Sequence, residues 1–218
     1  MTDLLDEINE DLKTEKHTYI TKKVAKLFTM CAVVMVVSVS VYAWKSRSVE
    51  ELQSRLGMWF NQAVISTESD DLDGAIVQFD KVIQQSHQQY AALASLNKAA
   101  ILIKQNKFEQ AQKILLEVSS QDYFDKSLKD LAKVIFLGNQ LNSDLPESEL
   151  TSDMLSSISK EGRPWQLSGL QLKALYAIKH KNFGEAKENL NKILDSKTAN
   201  KSSHDTAANI LSVISRTE

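Results

Sequence analysis

Hydrophobic residues are distributed along this chain in two different ways. From Leu27 to Trp44, LFTMCAVVMVVSVSVYAW, they run for about eighteen residues without a charge, Gly or Pro. At ~1.5 Å per residue a helix of that length covers ~27 Å, close to the ~30 Å of a bilayer core. Tyr42 and Trp44 stand at one end, where amphipathic rings favour the headgroup layer, and Lys22, Lys23 and Lys26 bracket the other. A helix in a soluble core usually keeps a polar stripe, and this segment has none. It reads as one transmembrane helix over 27–44. After Lys45 apolar residues recur instead at steps of three and four, with short polar breaks. The first stripe, over 49–65, carries Leu52, Leu56, Trp59, Phe60 and Ala63, and 66–71 breaks it. Further stripes cover 72–83, 90–104, 108–118, 123–141, 149–158, 165–180, 183–194 and 205–214, which predicts about nine helices joined by short linkers.

These stripes repeat. NKFEQAQKILLEV (106–118) and KNFGEAKENLNKI (181–193) align with Phe108 on Phe183, Ala111 on Ala186, Leu115 on Leu190 and Val118 on Ile193, an offset of about 75 residues. LDGAIVQFDKVI (72–83) puts Leu72, Ala75, Phe79 and Val82 in the same frame about 36 residues earlier. A unit of about two helices, with a degenerate copy over 123–158, accounts for both spacings. Ala63, Ala99 and Ala174 lie twelve residues before Ala75, Ala111 and Ala186. Paired small residues of this kind resemble those of the tetratricopeptide repeat, where they let the two helices approach closely. The inter-repeat Pro of that family is missing, 66–71 is expected to lengthen the first turn, and the middle copy lacks both the aromatic residue and the Ala. The fold class is therefore all-α: a single N-terminal transmembrane helix, then a tetratricopeptide-like α-solenoid of about four to five helix pairs over 45–218. The last helix, exposing Asn209, Ser212 and Ser215, is expected to cap the stack.

Charge sets the topology. About five cations (Lys13, Lys16, Lys22, Lys23, Lys26) precede the span and about three (Lys45, Arg47, Arg55) follow it in an equal window, which favours a cytoplasmic N-terminus. Residues 1–26 form a charged arm in which Leu4, Leu5, Ile8 and Leu12 fit a short amphipathic helix, with acidic residues leading and Lys13 and Lys16 following. It serves either as a solvated pre-membrane arm or as a docking peptide for a cytoplasmic partner. The long acidic n-region and the length of the apolar run favour an uncleaved signal anchor over a cleaved signal peptide. The one cysteine, Cys31, lies inside the span, so a disulfide framework is excluded. A net charge of −2 argues against nucleic acid as a partner.

Motifs for chemistry are sparse. His17, His87, His180 and His204 are scattered without ligand spacing, so no metal is expected. No phosphate loop or nucleophile elbow occurs, and neither a cofactor nor a small-molecule substrate is implied. Asp70 and Asp71 sit where they would cap the helix beginning at Leu72. Lys160-Glu161-Gly162-Arg163-Pro164-Trp165 combines a helix stop with a Pro start; Trp165 either staples that corner or meets a partner. Repeats of the carboxylate-clamp type place Lys, Asn and Arg along the first helices, but the matching positions here are Leu96 and Ala100, then Gln171 and Leu175. Together with Ile103 they suggest an apolar groove for a partner helix or an unfolded segment.

A charged arm (DEINEDLKTEK, 6–16), one span and degenerate repeats together resemble the bacterial ancillary SecYEG translocon subunit family (YfgM-like), across essentially the whole chain. The resemblance implies an inner-membrane, single-pass protein with its repeat domain in the periplasm. Its partners would be the SecYEG translocon and a membrane-anchored periplasmic chaperone, and its role non-enzymatic. The alternative is an inner-membrane repeat adaptor for envelope assembly or division, without translocon contact.

Overall fold

The computed structural model describes residues 49–86, 89–143 and 146–217. The predicted arm (1–26) and span (27–44) lie outside the described residues, and among those described no helix is long and apolar enough to cross a membrane. The described chain is all-helical: nine helices and no strand. They are α1 (49–68), α2 (Leu72–Gln85), α3 (Gln89–Lys104), α4 (Phe108–Ser120), α5 (Lys126–Asn142), α6 (Thr151–Ile158), α7 (Gln166–Lys179), α8 (Phe183–Leu194) and α9 (Lys201–Thr217). The chain divides into the units Met1–Arg55 and Leu56–Glu218, and the packing described below belongs to the second.

Three of the connections are copies of one another. Asp70, Asn106 and Lys181 are the only non-Gly residues with positive φ among those described (61°, 59° and 60°), each five residues before Ala75, Ala111 or Ala186. At each turn the next residue's N–H reaches back five positions, Asp71 to Ser66 O (2.9 Å), Lys107 to Leu102 O (2.8 Å) and Asn182 to Ala177 O (2.8 Å). This is the Schellman closure, which satisfies carbonyls the ending helix leaves free. Asp and Asn adopt the left-handed conformation more readily than other side-chain-bearing residues; Lys181 holds it at some cost. The turn after α1 is no longer than the other two, contrary to the lengthening expected over 66–71. Thr67 Oγ1 donates to Ala63 O (2.8 Å) and Ser69 Oγ to Ile65 O (2.9 Å), so these polar residues bond back to α1 rather than breaking it early. Asp71 caps α2 through Gly74 N–H (3.0 Å), whereas Asp70 pairs with Lys104 at the equivalent turn after α3 (2.6 Å).

All six repeat alanines, Ala63, Ala75, Ala99, Ala111, Ala174 and Ala186, are 0% exposed. With no side chain beyond Cβ, they let the two helices of a pair come together. Phe79, Leu115 and Leu190, four positions on from the second alanine, are buried in the same way. Each consecutive pair of helices from α2 to α9 packs together, and α5 also touches α3 and α7, in a paired arrangement consistent with a solenoid. α3, α5 and α7 are therefore enclosed over a wide arc: α3 buries eight residues and α5 and α7 six each, against three each for α2 and α4. The apolar interior forms two clusters separated by α7, which gives Leu172 and Tyr176 to one and Leu170, Ala174 and Ala177 to the other. In the middle copy α6 is only eight residues long. Gly169 brings α7 against its end, where an added Cβ would lie 2.8 Å from the Ile158 carbonyl carbon. The predicted starts of α5, α6 and α9 differ by two to four residues because Asp125 accepts from Ser127 N–H (2.7 Å), Ser148 Oγ from Leu150 N–H (3.2 Å) and Asn200 Oδ1 from Ser203 N–H (2.8 Å).

Overpacking separates these positions by experiment. Ala99→Leu is expected to destabilise the domain by about 1–3 kcal/mol, while Ala100→Leu, one residue on but exposed, changes stability by less than about 0.5 kcal/mol; denaturant unfolding followed by circular dichroism compares them. Gly169→Ala lowers the midpoint because backbone stands in the way. Gly138→Ala, which meets nothing within 4 Å inside α5, raises stability by about 0.4–1 kcal/mol.

Candidate docking cleft

The corner between α6 and α7 is built by residues that cannot continue a helix. Gly162 takes a φ of 75°, and Pro164 follows two residues later. Gln166 Oε1 reaches back to accept from Gly162 N–H (3.2 Å). The corner is fastened to α5 at two points. Trp165 Nε1 donates to Ser127 O (3.0 Å), and the Arg163 guanidinium donates to Asp130 Oδ1. Asp130 is 0% exposed. Removal from water pushes its carboxyl up, while Lys133 and Lys129 pull it back. Lys133 also donates to Ser157 of α6 (3.2 Å), so the charged group ties three elements together.

Ten residues further along α5 a second polar group replaces apolar packing. Gln140 Oε1 accepts from Thr151 Oγ1 (2.7 Å) and Tyr176 OH (3.0 Å), and its Nε2 donates to Pro146 O (3.1 Å). Tyr176 OH is also within reach of Leu137 O (3.0 Å), and burial raises its phenol well above the ordinary value. At the rim Glu147 meets Lys179 Nζ (3.2 Å) and His180 Nε2 (3.1 Å). Partial burial pushes the Glu147 carboxyl up, but those hydrogen bonds and charges outweigh it and hold it below the usual carboxylate value. Through these contacts the connection from α5 to α6 is held against α7.

Beyond the corner opens a cleft of about 1200 Å³, walled by the α6–α7 corner, the first turns of α7, the end of α8 and the start of α9. Arg163, Lys173, Lys192 and Lys197 line it against two carboxylates, Glu161 and Asp195. Arg163 is taken by Asp130, and Lys192 by Glu188 (2.6 Å). Among the described residues neither Lys173 nor Lys197 forms an ion pair, but Lys173 acts on Glu188, whose carboxyl Lys192 first and Lys173 after it hold below the ordinary value. α7 begins here without a side-chain cap. The Gln166 and Gly169 N–H groups find backbone partners, which leaves those of Leu167 and Ser168 without one. Asn189, 2% exposed, also lines the cleft, and its Nδ2 donates to Glu185 O (2.8 Å). Among the described residues no group of three His, Cys, Asp or Glu could hold a metal ion.

The residues singled out for a groove are not brought together as one surface. Leu96 is 4% exposed and belongs to the core, so it has nothing to offer a partner. Ala100 is exposed, and Ile103 packs partly against the core. Gln171 and Leu175 on α7 are half-buried. Trp165 is half-buried, staples the corner as the first reading has it, and lines the cleft. On α3 the exposed strip is Leu93, Asn97, Ala100 and Lys104, one step round from the register chosen on sequence grounds. Asp130 and Gln140 had a visible signal. With Lys133 and Leu137 they share one face of α5, which puts three polar residues at helical spacing on a single face. Asn189 had none.

The chain matches a protein family described as "Protein of unknown function (DUF2659)" over residues 1–213, and belongs to that family. No curated protein matches the chain.

The Glu147 latch sets a pH dependence. A folded-state value below the ordinary 4.5 means the carboxylate stabilises the fold above that pH, and the contribution is lost as pH falls through the lowered value. Glu147→Gln is therefore expected to unfold more easily than wild type at neutral pH and to converge with it in acid. Urea midpoints measured across the acid range test this; parallel curves for the two proteins would contradict it.

Proposed function

We propose that this member of the DUF2659 family is a non-enzymatic scaffold of bacterial protein export: a tetratricopeptide-like solenoid tethered to the inner membrane by 27–44. On this reading residues 1–26 lie in the cytoplasm and the helical domain in the periplasm. The protein serves as an ancillary subunit of the SecYEG translocon and links export to a membrane-anchored periplasmic chaperone. The observation that carries the scaffold reading is the threefold recurrence of one turn, at Asp70, Asn106 and Lys181, with the buried alanine pairs around it. Such a unit leaves an apolar face that only a neighbouring unit covers, and stacked units present a continuous surface to polypeptide. The exposed strip of α3 supplies apolar, amide and cationic groups together, as contact with varied polypeptides requires. The export assignment is supported by the order of charged arm, apolar segment and repeats in the sequence.

Photo-crosslinking amino acids placed through 27–44 in living cells test the assignment. Adducts with the channel subunits are the expected result. Their absence, with the protein still membrane-bound, removes the translocon and leaves an adaptor for envelope assembly or division. In spheroplasts, external protease is expected to digest the helical domain; protection of that domain would reverse the topology.

A further inference from the structure

We infer that the edge of the helical domain on which α3, α5 and α7 begin lies against the lipid headgroup layer, with Tyr90, Tyr123 and Trp165 as the rings that meet it. The inference rests on 27–44 being the span that tethers the domain. Among the described residues only two aromatic side chains are exposed, Tyr90 (39%) and Tyr123 (55%). Both stand on that edge. They also share a register position with Trp165: the three precede the buried alanines Ala99, Ala132 and Ala174 by nine residues each.

Hydrogen bonds place the three positions together. The Asp125 N–H donates to Gln89 Oε1 (3.2 Å), which joins the start of α5 to that of α3. Trp165 Nε1 donates to Ser127 O (3.0 Å), which joins the start of α7 to that of α5. At the opposite ends Asp70, just after α1, meets Lys104 of α3 (2.6 Å), so α1 and α3 run the same way. The chain upstream of Leu56 therefore leaves this packed unit on the edge of Tyr90. Twelve residues separate Leu56 from Trp44, the last of the apolar run, and those from 49 on are helical, so the reach is at most ~30 Å. A domain hung on so short a connection turns toward the membrane the edge from which it hangs.

The chemistry of the edge suits that layer. An amphipathic ring placed among headgroups leaves water while a Tyr hydroxyl keeps a polar partner. Trp165, whose N–H is already held by Ser127, offers part of its ring. First helices packed side by side lie ~8–10 Å apart, so the three rings spread over roughly 20 Å, as a flat layer requires. Tyr90 and Tyr123 lie outside the cleft. Charge is not the attraction: Lys126, Lys129 and Lys160 alternate on this edge with Asp122, Asp125 and Glu161, and Lys129 pairs with Asp122 (3.4 Å). The contact is therefore expected on zwitterionic lipid and at high salt.

The test uses the full chain in lipid nanodiscs, with Cys31→Ser and one fluorophore-bearing cysteine, and reads quenching by phosphatidylcholine spin-labelled at its headgroup. Lys126→Cys puts the fluorophore close to Tyr123, and Lys107→Cys puts it in the turn after α3, on the opposite edge; both side chains are exposed. Quenching at 126 in phosphatidylcholine discs, with none at 107, is the expected result. It should be lost in Tyr90→Ser/Tyr123→Ser and persist at high salt. Equal quenching at both positions, none at 126, or quenching that needs phosphatidylglycerol or vanishes in salt would overturn the inference. So would a folded Tyr90→Ser/Tyr123→Ser chain, judged by its helical signal, that is quenched like its parent; the comparison of the two edges needs no such variant. A chain that does not stay with the discs overturns the span at 27–44 as well, whereas a retained chain unquenched at 126 overturns this contact alone.

Discussion

Two helices that touch through alanines can lie close together only if nothing larger intrudes at that level, and the repeat architecture depends on that approach. In this chain three such pairs of alanines, Ala63 and Ala75, Ala99 and Ala111, and Ala174 and Ala186, are wholly removed from solvent. The left-handed residue between them returns the second helix onto the first, and the same backbone bonds close each turn. Once a pair has formed, its large residues at Phe79, Leu115 or Leu190 must be covered by the next helix, because leaving them in water would forfeit roughly 1.5–3 kcal/mol apiece. Stability is thus passed between neighbours rather than held in one central core, which is why α7 can divide the interior into two clusters.

The middle copy departs from this scheme, and its polar groups take over the positioning. α6 is too short to bury a full stripe, so Gln140, Thr151 and Tyr176 hold the α5–α6 connection, while Asp130, Arg163 and Lys133 hold the following corner. Groups of this kind are demanding: once buried, each must find its partner, and that requirement narrows the permitted geometries. Trp165 and Arg163 face the cleft on one side and are bonded to α5 on the other. The cleft wall is accordingly fixed by a helix that does not itself line the cleft.

How much was legible can be judged from particular elements. α4 and α8 lie within two residues of their predicted limits, because a single apolar face recurring every three to four residues leaves little freedom in assignment. α1 ends three residues beyond its predicted limit, since the polar stretch from Ser66 reads as a break in the sequence, whereas the hydroxyls of Thr67 and Ser69 bond back along the helix. Leu96 was placed on a groove by analogy of position. It is buried because α3 is enclosed by α2, α4 and α5 together, and no pattern within α3 announces three neighbours. The apolar run at 27–44 is legible from composition alone and lies outside the described residues.

From its sequence alone, then, the chain is committed to paired helices of known length and phase, because backbone propensity and apolar spacing act over one or two turns. The alanine frame extends that commitment to which helices approach each other. Tertiary structure alone decided where Asp130 finds Arg163, 33 residues away, which strip of α3 remains in solvent, and that Lys173, Asn189 and Lys197 open on one cleft. Those outcomes depend on the angle and distance at which successive pairs settle. That geometry is fixed by the fit of many side chains at once and has no counterpart in any local stretch of residues.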